Sequence, residues 1–171
     1  MIFGTYVKFM DKDGKELNPK ARNDLNDPAI SGPKGYMQVF SFKYGVKVVQ
    51  ATGASTGNRQ WDEFEVKFDD DGTAALLTDA LVKNSRLKVE ILWVASAQDG
   101  GTQGVKVNRK MVIDGVKMTR AISNAEAGTD GKLNVDIVAF VGNQVKVDVT
   151  NDLTGTQLSF EDTLANVAKT A

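Results

Sequence analysis

The chain of 171 residues carries 21 basic and 22 acidic side chains, a formal net charge of −1, with no histidine and no cysteine. That balance excludes the basic excess needed to track a nucleic-acid backbone or an anionic membrane surface. The missing cysteine excludes a disulfide scaffold, a thiolate zinc site and a thiol nucleophile, and the missing histidine removes the commonest general base and transition-metal ligand.

Hydrophobic residues make up 42% and charged residues 25%, which fits a globular chain with a sizeable core. The N-terminal MIFGTYVKFMDKDGKE lacks a basic start, and its apolar run is broken by Gly4, Thr5 and Lys8, so no classical signal peptide is predicted. No stretch of about 18 apolar residues predicts a membrane-spanning helix.

In chain order, the dominant period is two. FGTYVKF places Phe3, Val7 and Phe9 on one face of a first strand. Asp11 to Gly35 contains all three prolines, Pro19, Pro28 and Pro33, and is predicted as irregular loop. FSFKYGVKV aligns Phe40, Phe42, Tyr44, Val46 and Val48, predicting one long strand bent near Gly45. From Gln50 to Gln60 the chain runs through small and polar residues, QATGASTGNRQ, which predicts a long soft loop of the functional or disordered kind.

WDEFEVKF then aligns Phe64, Val66 and Phe68. In DDDGTAALLTDALVKNSR, Ala74, Leu77, Ala80 and Leu81 recur at helical spacing. Acidic residues precede them and Lys83 and Arg86 follow, as the helix dipole favours. RLKVEILWVAS aligns Leu87, Val89, Ile91 and Trp93, with Leu92 and Val94 opposite, so both faces of that strand are expected to be covered. AQDGGTQG predicts a hairpin connection into GVKVNRKMVID, where Val105, Val107, Met111 and Ile113 align. GTDGK at Gly128–Lys132 predicts another connection, before two strands joined by a tight hairpin turn at Gly142-Asn143. The tail from Leu158 to Ala171 spaces Phe160, Leu164 and Val167 for a short amphipathic helix. Many strands with turn signals and one helix imply a closed barrel or a sandwich.

Motifs with chemistry are few. DKDGKE at Asp11–Glu16 starts like a calcium loop, but the later ligand spacing fails and a turn is the expected outcome. The Asp69–Asp71 run is read as the approach to the helix. GASTGNRQ has the glycines of a phosphate loop but no following Gly-Lys-Ser/Thr, and it leads into a strand. Glu63 and Glu65 point the same way, yet nothing assigns one as acid and the other as base. Trp93, in phase with its neighbours, is expected in the core. Trp61, out of phase with Phe64 and on the side of Glu63, Glu65 and Lys67, is expected to be an exposed or an interface residue.

TYVKF, SFKYGV, the Gly/Ser/Thr-rich loop, FEVKF, the acidic turn with its short helix, and LKVEILW follow one another in that order. Gly-joined β segments and an alternating pair close the series. This order resembles the haemolysin-coregulated protein (Hcp) family, the inner-tube subunit of the type VI secretion system, over Phe3 to Thr150. The resemblance implies a mainly β fold: a β-barrel of two packed antiparallel sheets with one short flanking α-helix. One such domain over residues 1–157, followed by a tail over 158–171, is expected.

The implied assembly is a homo-hexameric ring, with rings stacked into a tube that a contractile sheath pushes out together with spike and effector proteins. The protein would be cytoplasmic before firing and secreted afterwards without a signal peptide. No cofactor, metal or catalytic residue is implied, nor any nucleic-acid partner or membrane insertion. The implied contact with a neighbouring subunit lies on the loop after the long strand: Ala51, Thr52, Gly53, Ser55, Thr56, Gly57, Asn58, Arg59 and Trp61. Two other readings share much of the pattern. One is a tube protein of another contractile, phage-tail-like machine. The other is a monomeric β-barrel module, which would need an apolar ligand cavity. An enzyme would need a cleft with perturbed carboxylates.

Overall fold

A computed structural model of the chain describes residues 3–18, 35–51, 54–69, 72–99, 102–125, 134–150 and 156–163, and at residues 49–51 and 54–58 it describes the course of the backbone alone. The elements are β1 (Phe3–Asp11), β2 (Met37–Val39), β3 (Ser41–Lys43), β4 (Val46–Ala51), β5 (Ala54–Trp61) and β6 (Phe64–Asp69). They continue with α1 (Thr73–Val82), β7 (Leu87–Asp99), β8 (Thr102–Ala125), β9 (Asn134–Val141), β10 (Gln144–Thr150) and β11 (Gln157–Thr163).

The predicted mainly β architecture with one helix is what the chain adopts. One sheet runs β2-β1-β7-β8-β10-β11 and the other β8-β9-β6-β3, all antiparallel. β8 belongs to both. It is 24 residues long and turns the corner between the sheets at Gly115, whose φ is 63°. The ladder begins at β2 and ends at β3, which are consecutive pieces of chain. They meet at Phe40, whose N–H donates to the Lys67 carbonyl at 2.8 Å. The layer therefore wraps round on itself, and the join between its two ends is covalent.

The alternating apolar residues point inward, as the period of two requires. Val7, Phe9, Phe64, Val66, Phe68, Val89, Ile91, Met111, Ile113, Val138, Phe140 and Val147 are all buried in one core. Each such side chain contributes about 1.5–3 kcal/mol of burial. Phe64 and Phe140 stack at 5.5 Å between centroids, and Phe9 meets Phe140 edge-on. The helix supplies Ala74, Leu77 and Ala80 to the same core and packs on β8 and β9. Its last turn closes with Ser85 N–H on the Ala80 carbonyl, and Arg86 then reaches the Gly115 carbonyl at 3.0 Å. β7 is covered on both faces, as its sequence implied: Leu92 and Val94 form a second apolar cluster with Tyr6 and Tyr36. The Asp11–Glu16 stretch is a turn, in which the Asp11 side chain accepts from the backbone N–H of Asp13 and of Lys15, each at 2.9 Å.

Three expectations are corrected. The long strand over 40–48 is two pieces, β3 and β4, and β2 lies just before it. The chain changes partner at Phe40, from β1 to β6, and leaves the body after Gly45. The alternation continues to Val48, but the core does not, and Val46 and Val48 are half exposed. Gly142-Asn143 does not close a hairpin. β9 and β10 lie end to end, both antiparallel to β8, and the dipeptide turns their shared corner with Asn143 N–H on the Asp114 carbonyl at 2.9 Å. The tail does not begin as a helix. Gln157–Thr163 is a strand on the edge of β10, because alternation of Leu158, Phe160 and Asp162 also suits an extended chain beside a partner with free N–H and C=O groups. Residues 164–171, with Leu164 and Val167, lie outside the described residues, as does the GTDGK connection.

Candidate assembly interface

The segment expected to be a soft loop is a β-hairpin. Among the described strands, β4 and β5 pair only with each other, from Val46 opposite Trp61 to Ala51 opposite Ala54, with an irregularity between Val48 and Gln50. Ala51, Ser55, Thr56, Gly57, Asn58 and Arg59 are on its strands, and Thr52 and Gly53 lie outside the described residues. Small and hydroxylated side chains gave the sequence no apolar alternation to read, while the backbone groups still pair across the arm.

The base of this arm is built from aromatic residues. Trp61 is buried, not exposed, and its ring stacks between Tyr44 at 6.4 Å and Phe64 at 5.9 Å. The alternation of β6 does not extend back to it, because Asp62 and Glu63 form a break between the strands that resets the phase. Its Nε1–H donates to Asp162 on β11 at 2.8 Å. Arg59, four-tenths or less covered by the protein, pairs with the other oxygen of the same carboxylate at 2.8 Å. Gly45 lies at the opposite side of the base, where its carbonyl accepts from Asp62 N–H at 2.9 Å. A Cβ there would come within 2.8 Å of the Asp62 carboxylate, so a larger residue would push that side chain aside. Trp93 packs on the core as expected, beneath the Arg109 guanidinium at 5.3 Å, and Arg109 also donates to the Tyr44 hydroxyl at 3.3 Å.

Beside the arm, β11 is an edge strand whose one partner among the described strands is β10. Leu158 is 65% exposed and Phe160 49%. With Val46 and Val48 they leave apolar side chains in water at an unpaired hairpin and an unpaired edge, which is the type of surface that other protein chains cover. Sequence reasoning named Arg59 and Trp61 but missed Asp162, Leu158 and Phe160. The Trp61–Asp162 contact spans 101 residues, and no local pattern carries such a pairing.

Among the described residues, the main polar cluster lies elsewhere. On the outer face of the first sheet, the Tyr36 hydroxyl donates to Glu90 at 2.6 Å, and Lys8 and Lys110 lie 3.7 and 3.8 Å from the same carboxylate. Burial pushes the Glu90 carboxyl up, but the Tyr36 hydrogen bond and the ammoniums of Lys110, Lys8 and Lys88 outweigh it and hold it below its ordinary value. Burial, then Glu90 and Glu16, push the Tyr36 hydroxyl well above its own. Both groups thus move away from neutral pH, opposite to what a general acid or base needs. Glu65 is tied to Arg120 at 2.7 Å, while Glu63 is exposed. Among the described residues no group of acidic side chains could hold a metal ion, and no helix is long and apolar enough to cross a membrane. A cavity between β1 and β2, lined by Val7, Phe9, Asn18 and Met37, has a volume of about 10 Å³, room for one water.

No protein-family model matches the chain, and no curated protein matches it by sequence. Solved structures match it over nearly its whole length. Hcp1 from the E. coli EAEC 042 pathovar superposes with a TM-score of 0.72 at 15% identity, covering 94% of this chain and 98% of that one. Hcp3, a secreted protein from Pseudomonas aeruginosa, gives 0.66 at 17% identity, covering 92% and 98%. A type VI secretion system effector from Yersinia pestis gives 0.60 at 13% identity, covering 93% and 98%. The chain therefore has the Hcp fold, from its first strand to its last.

Proposed function

We propose that the protein is a structural subunit of a type VI secretion tube, assembling into homo-hexameric rings that stack, and that it carries no catalytic activity of its own. The observation that carries this reading is the near-complete match to the Hcp fold, together with an arm that pairs with no other described strand. A strand pair held out in water with half-exposed valines is an aggregation hazard in a monomer and a ready contact in an assembly. The arm, including Ala51, Thr52, Gly53, Ser55, Thr56, Gly57, Asn58 and Arg59, is then the contact with the next subunit. Trp61 serves as its internal anchor and does not reach the neighbour. A net charge of −1 permits copies to approach without strong repulsion.

In this reading the protein waits in the cytoplasm and leaves the cell with the tube, meeting sheath, spike and effector proteins on the way. The test is the native mass by light scattering after size exclusion. Six times the 18.5 kDa chain mass is expected. A monomer at the highest attainable concentration would overturn the reading.

A further inference from the structure

An isolated two-stranded hairpin is marginal in water, so something other than its own ladder must hold the arm in one direction. Its strands meet no third strand among the described residues. At its root, two residues of β5 on the same face, Arg59 and Trp61, converge on one carboxylate. That carboxylate belongs to Asp162, whose side chain is only 10% exposed. Asp162 stands opposite Val145, one of the most deeply buried residues of β10, so its own seat is fixed by the core. The two oxygens are divided: Oδ2 accepts from the indole and Oδ1 faces the guanidinium. A carboxylate used at both oxygens by two side chains of one strand fixes that strand in angle as well as in position.

The dependence is mutual. Among the described strands β11 pairs along one edge only, and Leu158 and Phe160 contribute little burial because they stand in water. The contact with Arg59 and Trp61 therefore adds to the β10 ladder in seating the end of β11.

From this geometry we infer that Asp162 is a positioning residue that locks the arm to the C-terminal strand, so that β11 and the arm move as one unit. The contact lies within one chain and stands independently of assembly; its consequence for ring formation rests on the function proposed above.

The test uses the full chain carrying Trp93→Phe, which leaves Trp61 as the one tryptophan. Adding Asp162→Ala should shift Trp61 emission to the red. It should also raise amide hydrogen exchange over residues 46–61 by about tenfold, relative to the parent at matched oligomeric mass. Exchange in β1 and β7 should stay unchanged. Asp162→Asn keeps an acceptor for the indole and loses the charge, so it should restore the emission and leave exchange intermediate. Arg59→Gln removes only the exposed partner and should give the same intermediate exchange. Unchanged emission and arm exchange in Asp162→Ala would overturn the inference, as would a rise spread evenly over β1 and β7. Should Asp162→Ala not fold, equal exchange in Asp162→Asn, Arg59→Gln and the parent would overturn it instead. A parent chain that is monomeric would defeat the tube reading and leave these readouts intact.

Discussion

In the body, strands such as β6 and β9 send every second side chain into a shared core, and Phe64, Val66, Val138 and Phe140 are almost without contact with water. In the arm, β4 and β5 have the same antiparallel ladder but no core, and Val46 and Val48 stand half in solvent. The body is held by many dispersed apolar contacts. The arm is held at one end, by an aromatic stack and one carboxylate. The difference teaches that, on the function proposed above, stability and assembly fall on separate residues, so substitutions should divide cleanly between them.

The sharpest division comes from the core. Phe140→Ala removes a ring stacked on Phe64 and edge-on to Phe9. It should lower unfolding free energy by about 3–5 kcal/mol in a denaturant titration, and a loss below 1 kcal/mol would contradict the core described. Gly115→Ala attacks the corner. Its φ of 63° and the Asn143 side chain, 2.5 Å from where a Cβ would stand, make any side chain strained. A loss of about 1–3 kcal/mol is expected, with the arm's exchange unchanged.

Glu90→Gln tests the outer face. The Glu90 carboxyl is held below its ordinary value of 4.5, so its contribution is present above that pH and is lost as the pH falls through the folded-state value. The variant should therefore be less stable by about 1 kcal/mol near neutrality. The gap to the parent should close on acidification, as followed by melting temperature against pH. The smallest effect on stability should come from Val48→Lys. It lies within about 0.5 kcal/mol of the parent because the side chain is exposed. The same change should nonetheless reduce the ring mass seen by light scattering, and an unaltered hexamer would remove the arm from the interface.

How much of this was legible follows from what each residue type signals. Val, Ile, Phe and Leu at every second position revealed β1, β6, β7 and β10, since a half-buried strand cannot avoid that pattern. The helix was legible for the same reason at its own period. The arm was not, because Ala, Ser, Thr and Gly have no face to bury and their pairing rests on backbone groups common to every sequence. Trp61 was misjudged by carrying one strand's phase across the Asp62-Glu63 break. Gly142-Asn143 has the chemistry of a hairpin turn, but the partner waiting for both flanking strands is β8, which no local string discloses. Phe160 fits a helical face with Leu164 and Val167 and a strand face with Leu158, and a free edge on β10 decided between them.

One strand has a further consequence, for the way the protein comes apart. β8 is a member of both sheets, with β7 and β10 along its first half and β9 along its second. Neither sheet can separate without stripping the strand the other depends on. Heating should therefore give a single melting transition for the body, superimposable by far-ultraviolet dichroism and by near-ultraviolet aromatic signal. Loosening of the arm should precede that transition as a gradual slope.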